Sequence, residues 1–254
     1  MIKAEVISLL EQEAARINAP EFIAADPVQF PRQFSSVTDI EITALLAAHL
    51  AWGNRKMICR DIERLLQMAN NQPAAWLREG AFETIPDEQN IHRTFFGKNL
   101  KHFLRGLRAI YAEFSCLDAF SASLHLKGEK CAPWLLAAAL NKHLADANAG
   151  VTDSRCLPLN LQNTALKRLN MALRWLVRND GIVDMGVWTS LSPADLYIPL
   201  DVHVGNTSRA LNLTQRKAND RRTAEEITDA LRTIRPTDPT YFDFALFGIG
   251  VNSK

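Results

Sequence analysis

Apolar residues recur along this chain at intervals of three and four, the spacing that gives a helix one stripe to bury and one face for water. Val6, Leu9, Leu10 and Ile17 set out a first helix, and Ile42, Leu45, Leu46 and Leu50 a second that begins near Thr38 and Asp39. The period continues through Ile58, Ile62, Leu65 and Leu66, through Leu104, Leu107, Ile110 and Tyr111, and through Leu135, Leu136 and Leu140. Strand-like alternation is scarce, so the pattern predicts an all-α chain. Turn-forming clusters at Ala25-Asp26-Pro27, Pro86-Asp87-Glu88, Asn148-Ala149-Gly150, Asn179-Asp180-Gly181 and Pro236-Thr237-Asp238-Pro239 punctuate it. Residues 241–248 are apolar on most sides, which predicts a deeply packed last helix.

Leu166, Leu169, Leu173 and Leu176 form a core-facing stripe that leaves Lys167 off it, in an i, i+4, i+8 row with Met171 and Trp175. An ammonium group beside a bulky apolar edge, with Arg168 next to it, is an environment that favours the neutral amine. The bland alternative is a surface lysine lying over apolar neighbours. Farther on, Asp201 follows the short run Ile198-Pro199-Leu200 and precedes a segment with Val204, Leu211 and Leu213, so it suits a helix N-cap. The turn Trp52-Gly53-Asn54-Arg55-Lys56 reads either as a core anchor followed by a helix stop, or as an exposed planar ring with polar and cationic neighbours.

With 254 residues, 47% apolar and 22% charged, the chain has the composition of an ordinary globular protein large enough for one big domain or two lobes. No apolar run approaches the roughly 20 residues that span a bilayer, and the N-terminus lacks the apolar block of a secretion signal, so a cytoplasmic protein without membrane contact is expected. Cys59, Cys116, Cys131 and Cys156 are scattered and suggest neither a zinc site nor a disulfide scaffold. Phosphate-loop, zinc-protease and nucleophile-elbow signatures are missing. No metal and no cofactor is expected.

The net charge of +1 does not by itself point to nucleic acid. Its distribution is more informative. Residues 92–108 carry Arg93, Lys98, Lys101, Arg105 and Arg108 with no acid, and residues 155–178 form a second acid-free basic stretch. Each alone reads as a solvated helix face, but two of them offer the local positive charge that phosphate contacts need.

The string Pro199-Leu200-Asp201-Val202-His203, with Arg209 and Leu211-Asn212-Leu213 behind it, resembles the corresponding string of endonuclease III and its relatives among the helix-hairpin-helix DNA glycosylases. Lys167 and Asp201 have the chain order of the lysine and aspartate of the bifunctional members. Two features depart from that pattern. Pro158-Leu159-Asn160-Leu161-Gln162-Asn163 replaces the usual Leu-Pro-Gly-x-Gly hairpin, and residues 183–196 lengthen the lysine-to-aspartate interval. Both departures are similar to the archaeal 8-oxoguanine glycosylase branch. The cysteines of the usual C-terminal iron–sulfur loop are absent. Over nearly its whole length the chain is identified as a member of a bacterial family of uncharacterised proteins. The strings that carry this are Asp39-Ile40-Glu41, Ala51-Trp52-Gly53-Asn54-Arg55-Lys56, His92-Arg93-Thr94-Phe95, Lys167-Arg168-Leu169-Asn170-Met171 with Leu173-Arg174-Trp175, and Pro199-Leu200-Asp201-Val202-His203.

The resemblance implies a two-lobed, all-α, helix-hairpin-helix glycosylase-like fold without an iron–sulfur cluster. Its central helical barrel would occupy about residues 37–180 and its companion lobe residues 1–36 and 201–254, with 181–200 connecting. It implies a DNA glycosylase with lyase activity on a damaged base, such as an oxidised purine, with Lys167 and Asp201 catalytic. Trp52 and Asn54 would enter the base pocket or the duplex, where filling the gap offsets the cost of extruding a base, and Arg55, Lys56 and Arg168 would hold phosphates. The alternatives are a non-catalytic nucleic-acid-binding module and a helical interaction protein.

Overall fold

The structure is a computed structural model and describes residues 2–252. Its helices are, in chain order, α1 (Ala4–Ile17), α2 (Pro20–Ile23), α3 (Val37–Leu50), α4 (Arg55–Met68), α5 (Pro73–Glu79) and α6 (Gly97–Glu113). They continue as α7 (Leu117–Ser123), α8 (Ala132–Asp146), α9 (Lys167–Val177), α10 (Val202–Ala210), α11 (Arg221–Arg232) and α12 (Asp243–Asn252). A two-stranded antiparallel hairpin of β1 (Asn90–His92) and β2 (Phe95–Phe96) interrupts them. The chain is thus predominantly helical. Strands of three and two residues are too short to leave an alternation in the sequence, which is why the apolar pattern missed them. Among the described residues no helix is long and apolar enough to cross a membrane.

The chain divides into two compact units: one takes residues up to 24, 127–133 and from 160 onward, and the other takes 25–126 and 134–159. In the second of these, α3 departs from the single stripe that its apolar residues suggest, because every residue from Ile40 to Leu50 is buried. The polar members of that run are accommodated individually. Glu41 is fully buried, and its carboxylate accepts the Tyr111 hydroxyl at 2.8 Å and the Leu117 and Asp118 backbone N–H groups at 2.9 Å each. Those two amides are orphan donors of the first turn of α7, so the acid satisfies a helix terminus that would otherwise be buried unpaired. One expected core position differs: Leu135 on α8 is 46% exposed, while Leu136 and Leu140 are buried.

In the other unit, α12 packs against α1 and α10. Gly248 and Gly250 permit this approach, since a Cβ at the first would lie 1.8 Å from Ile17 and at the second 3.0 Å from the His203 carbonyl oxygen. Phe244, Ala245 and Leu246 of α12 are fully buried, as expected of the last helix, and so is Phe242 just before it. No tight hairpin precedes α9. An irregular run, 147–166, joins it to α8 and ends on Leu166, which has a left-handed backbone (φ +50°). Residues 183–196, which looked like a bare insertion, close the other end of α9: the N–H groups of Met185 and Trp188 donate to the Trp175 and Leu176 carbonyls at 2.8 Å. They satisfy acceptors that the last helical turn leaves open.

Candidate functional site

Lys167 opens α9 half-buried, and its Nζ lies 3.4 Å from the Met171 sulfur, as the i, i+4 row implies. Trp175, the next residue of the row, is fully buried. Asp201 is the N-cap of α10: its backbone is extended and its Oδ1 accepts the Val204 N–H at 3.0 Å. Asn219 donates to the Asp201 carbonyl oxygen at 3.1 Å and so fixes the residue from its backbone side. The cap uses one carboxylate oxygen, Oδ1.

Asp243, the first residue of α12, connects these two groups electrostatically. Burial pushes its carboxyl up to about 6 against the downward pull of the Arg174 guanidinium. The negative charge of Asp201 adds to the rise, and the positive charge of Lys167 opposes it. Both charges are therefore close enough to act on one buried carboxyl. Asp243 escaped the sequence reading because it stands inside an aromatic run. The signal was there, since an acid among Phe242, Phe244 and Phe247 needs a buried cation.

That cation and its neighbours correct the reading of the second basic stretch. Arg174 and Arg178 are 4% and 2% exposed, so neither is a solvated face nor a phosphate contact. Arg174 hydrogen-bonds Asp184 at 3.3 Å and also Asp243, and lies over the Phe244 ring at 4.3 Å. Arg178 makes a bidentate pair with Asp238 at 2.8 and 3.0 Å, and also reaches Asp180 and Asp184. Burial pushes the Asp184 carboxyl up even though Arg174 and Arg178 both pull it down. Burial opposes the charge on Arg178 too, but the carboxylates of Asp238, Asp184 and Asp180 outweigh it and raise its pKa. All the acids lie outside the stretch, so its local composition hid the pairing.

The other unit holds the Trp52 turn. The half-buried indole has the Arg93 guanidinium over its face at 4.4 Å and the His92 ring edge-on at 5.4 Å. His92 is fully buried, with Nδ1 2.7 Å from Asp61 Oδ2 and Nε2 2.9 Å from the Trp52 carbonyl oxygen. Each ring nitrogen thus faces an oxygen that can accept a hydrogen bond. Burial would raise the Asp61 carboxyl, but the hydrogen bonds from His92 and Arg60 and the charges of Arg60 and Arg64 hold it below its ordinary value. Asn54 is the N-cap of α4, its Oδ1 accepting the Lys56 and Met57 N–H groups at 3.0 and 3.3 Å. Arg55 and Lys56 are exposed in the first turn, and Arg55 lies 4.0 Å from Asp26. Arg168 is half-buried beside Lys167. In the first basic stretch Lys101 pairs with Asp87 at 2.5 Å and Arg105 with Glu83 at 2.5 Å.

Among the described residues, no three His, Cys, Asp or Glu side chains are grouped to hold a metal ion, and all four cysteines are free thiols. A family model described as a protein of unknown function, DUF2400, matches residues 26–252. The chain belongs to that family. No curated protein and no solved structure matches it. In this DUF2400 chain the matched region takes in the Trp52 turn, Lys167, Asp201 and Asp243 alike.

Proposed function

We propose that this DUF2400 chain is a DNA glycosylase with lyase activity, acting on a damaged base such as an oxidised purine, with the helix-hairpin-helix glycosylase type of fold. The observation that carries the reading is that the charges of Lys167 and Asp201, residues 34 positions apart in the chain, both act on the buried Asp243 carboxyl. In the reaction the Lys167 ammonium first loses a proton to water, its Nζ then attacks C1′ of the flipped nucleotide, and the N-glycosidic bond breaks, its electron pair leaving with the base, which takes up a proton. Asp201 accepts the proton released by the amine and stabilises positive charge developing on the sugar. The nitrogen lone pair then forms the C1′=N bond as the C1′–O4′ bond breaks, O4′ takes back the proton held by Asp201, and a Schiff base results. Loss of a C2′ proton then expels the 3′ phosphate by β-elimination. Within the unit that holds Lys167 and Asp201, Arg168 holds a phosphate.

The cytoplasm is the compartment this reading requires. The test is base release from a duplex with a single 8-oxoguanine, measured for the wild-type chain and for Lys167→Gln. Release that stops with the substitution, while salt-sensitive duplex binding persists, supports the reading.

One observation favours a second reading, a nucleic-acid-binding module without chemistry: Asp201 already has a structural task as the cap of α10. Duplex binding that weakens with salt, with no base release from any lesion, selects that module.

A further inference from the structure

In the unit that holds α3, α5 and α6, a pocket of about 370 Å3 opens between those helices. This is within the size range of small-molecule sites. Ile42 of α3 and Leu77 of α5 provide apolar wall, and Tyr111 of α6 adds an aromatic one. Among the described residues, Arg78 and Arg108 are the only charged groups lining it. Both are exposed, and among the described residues neither is ion-paired to a carboxylate. The acids nearby are engaged elsewhere. Asp39 accepts the Ala74 N–H at 2.8 Å, Glu41 accepts Tyr111 and two backbone amides, and Glu83 is held by Arg105. Gly80 leaves room for the Arg108 guanidinium, since a Cβ there would stand 2.7 Å from its Nη1. Gly80 also has φ +73°, a conformation that side chains disfavour.

Two guanidinium groups beside an apolar, aromatic-walled cavity form a site with one missing component. An apolar body filling the cavity would displace water, and an anionic head would give the arginines the charge-assisted hydrogen bonds that no protein group supplies. We propose that this pocket binds a small amphipathic carboxylate, its apolar body against Ile42, Leu77 and Tyr111 and its carboxylate between Arg78 and Arg108. The site is independent of the glycosylase reading.

The test is titration of the full chain with octanoate, octan-1-ol, octylamine and inorganic phosphate, followed by calorimetry and by amide NMR. Octanoate should bind and shift amides of α3, α5 and α6. Octanol, octylamine and phosphate should each bind more weakly by about tenfold or more, because each lacks one half of the match. Arg78→Gln with Arg108→Gln should reduce octanoate affinity to that of octanol. Since both arginines are exposed, the fold should tolerate the change, and near-ultraviolet circular dichroism checks that it has. Ala112→Trp, at an exposed lining position, should block the cavity and abolish octanoate binding. No octanoate binding at millimolar concentration overturns the proposal. So does octanol or phosphate binding as tightly as octanoate, or octanoate affinity that survives the double substitution.

Discussion

One oxygen of Asp243 accepts a hydrogen bond from Arg174, and the other, Oδ1, has no partner among the described residues. A buried carboxylate with an open acceptor is costly, and the cost is expressed as affinity for a proton. The carboxyl rises from the ordinary 3.8 to about 6, so the folded chain holds this proton more tightly than the unfolded chain does. Stability from that proton is present below pH 4 and is lost as pH rises toward 6, by about 3 kcal/mol in all. Urea unfolding of the wild-type chain and of Asp243→Asn between pH 4.5 and 7.5 isolates this group. The stability of the wild type relative to the variant should fall across pH 4.5–6.5 and level off above. A difference that stays constant with pH would contradict the assignment.

Asp201 has a structural and a chemical task that substitution separates. Asp201→Ala removes the acceptor for Val204 N–H and should destabilise the chain by about 1 kcal/mol, while Asp201→Asn keeps an acceptor and should cost less. If the carboxylate also acts on the substrate, both variants should release base more slowly to a similar degree. Activity that follows stability, with Asn near wild type and Ala impaired, would reduce Asp201 to a cap.

The Trp52 turn is held from below by His92. Its two ring nitrogens reach the Asp61 carboxylate and the Trp52 carbonyl oxygen. His92→Leu removes both bonds and should cost about 2 kcal/mol, with a change in Trp52 fluorescence. An unchanged emission spectrum would mean that the indole is positioned by Arg93 alone.

Much of this arrangement was legible in the sequence. The leucine stripe placed Lys167 against Met171, and the apolar run before Asp201 marked it as a cap, because both depend on neighbours within one helical turn. Asp243, Arg174 and Arg178 were not legible, since their partners are 10, 60 and 69 residues away for Asp184 to Arg174, Asp238 to Arg178 and Asp243 to Arg174. Asn54 shows an intermediate case: the pattern marked a boundary at Gly53-Asn54, and the structure makes it the start of α4. Burial of α3 on all sides could not be read from period alone, because a helix with Glu41, Thr43 and His49 looks amphipathic until Tyr111, Leu117 and Asp118 are seen to satisfy Glu41.

The covalent intermediate tests the catalytic assignment most directly. A Schiff base between Lys167 and an opened sugar is reducible, so borohydride added while the chain acts on a duplex bearing 8-oxoguanine or an abasic site should trap a protein–DNA adduct. Peptide mapping should place the link on Lys167, and Lys167→Gln should abolish the adduct while duplex binding keeps its dependence on salt. An adduct that survives Lys167→Gln, or no adduct on either substrate, would contradict the assignment of Lys167 as the nucleophile.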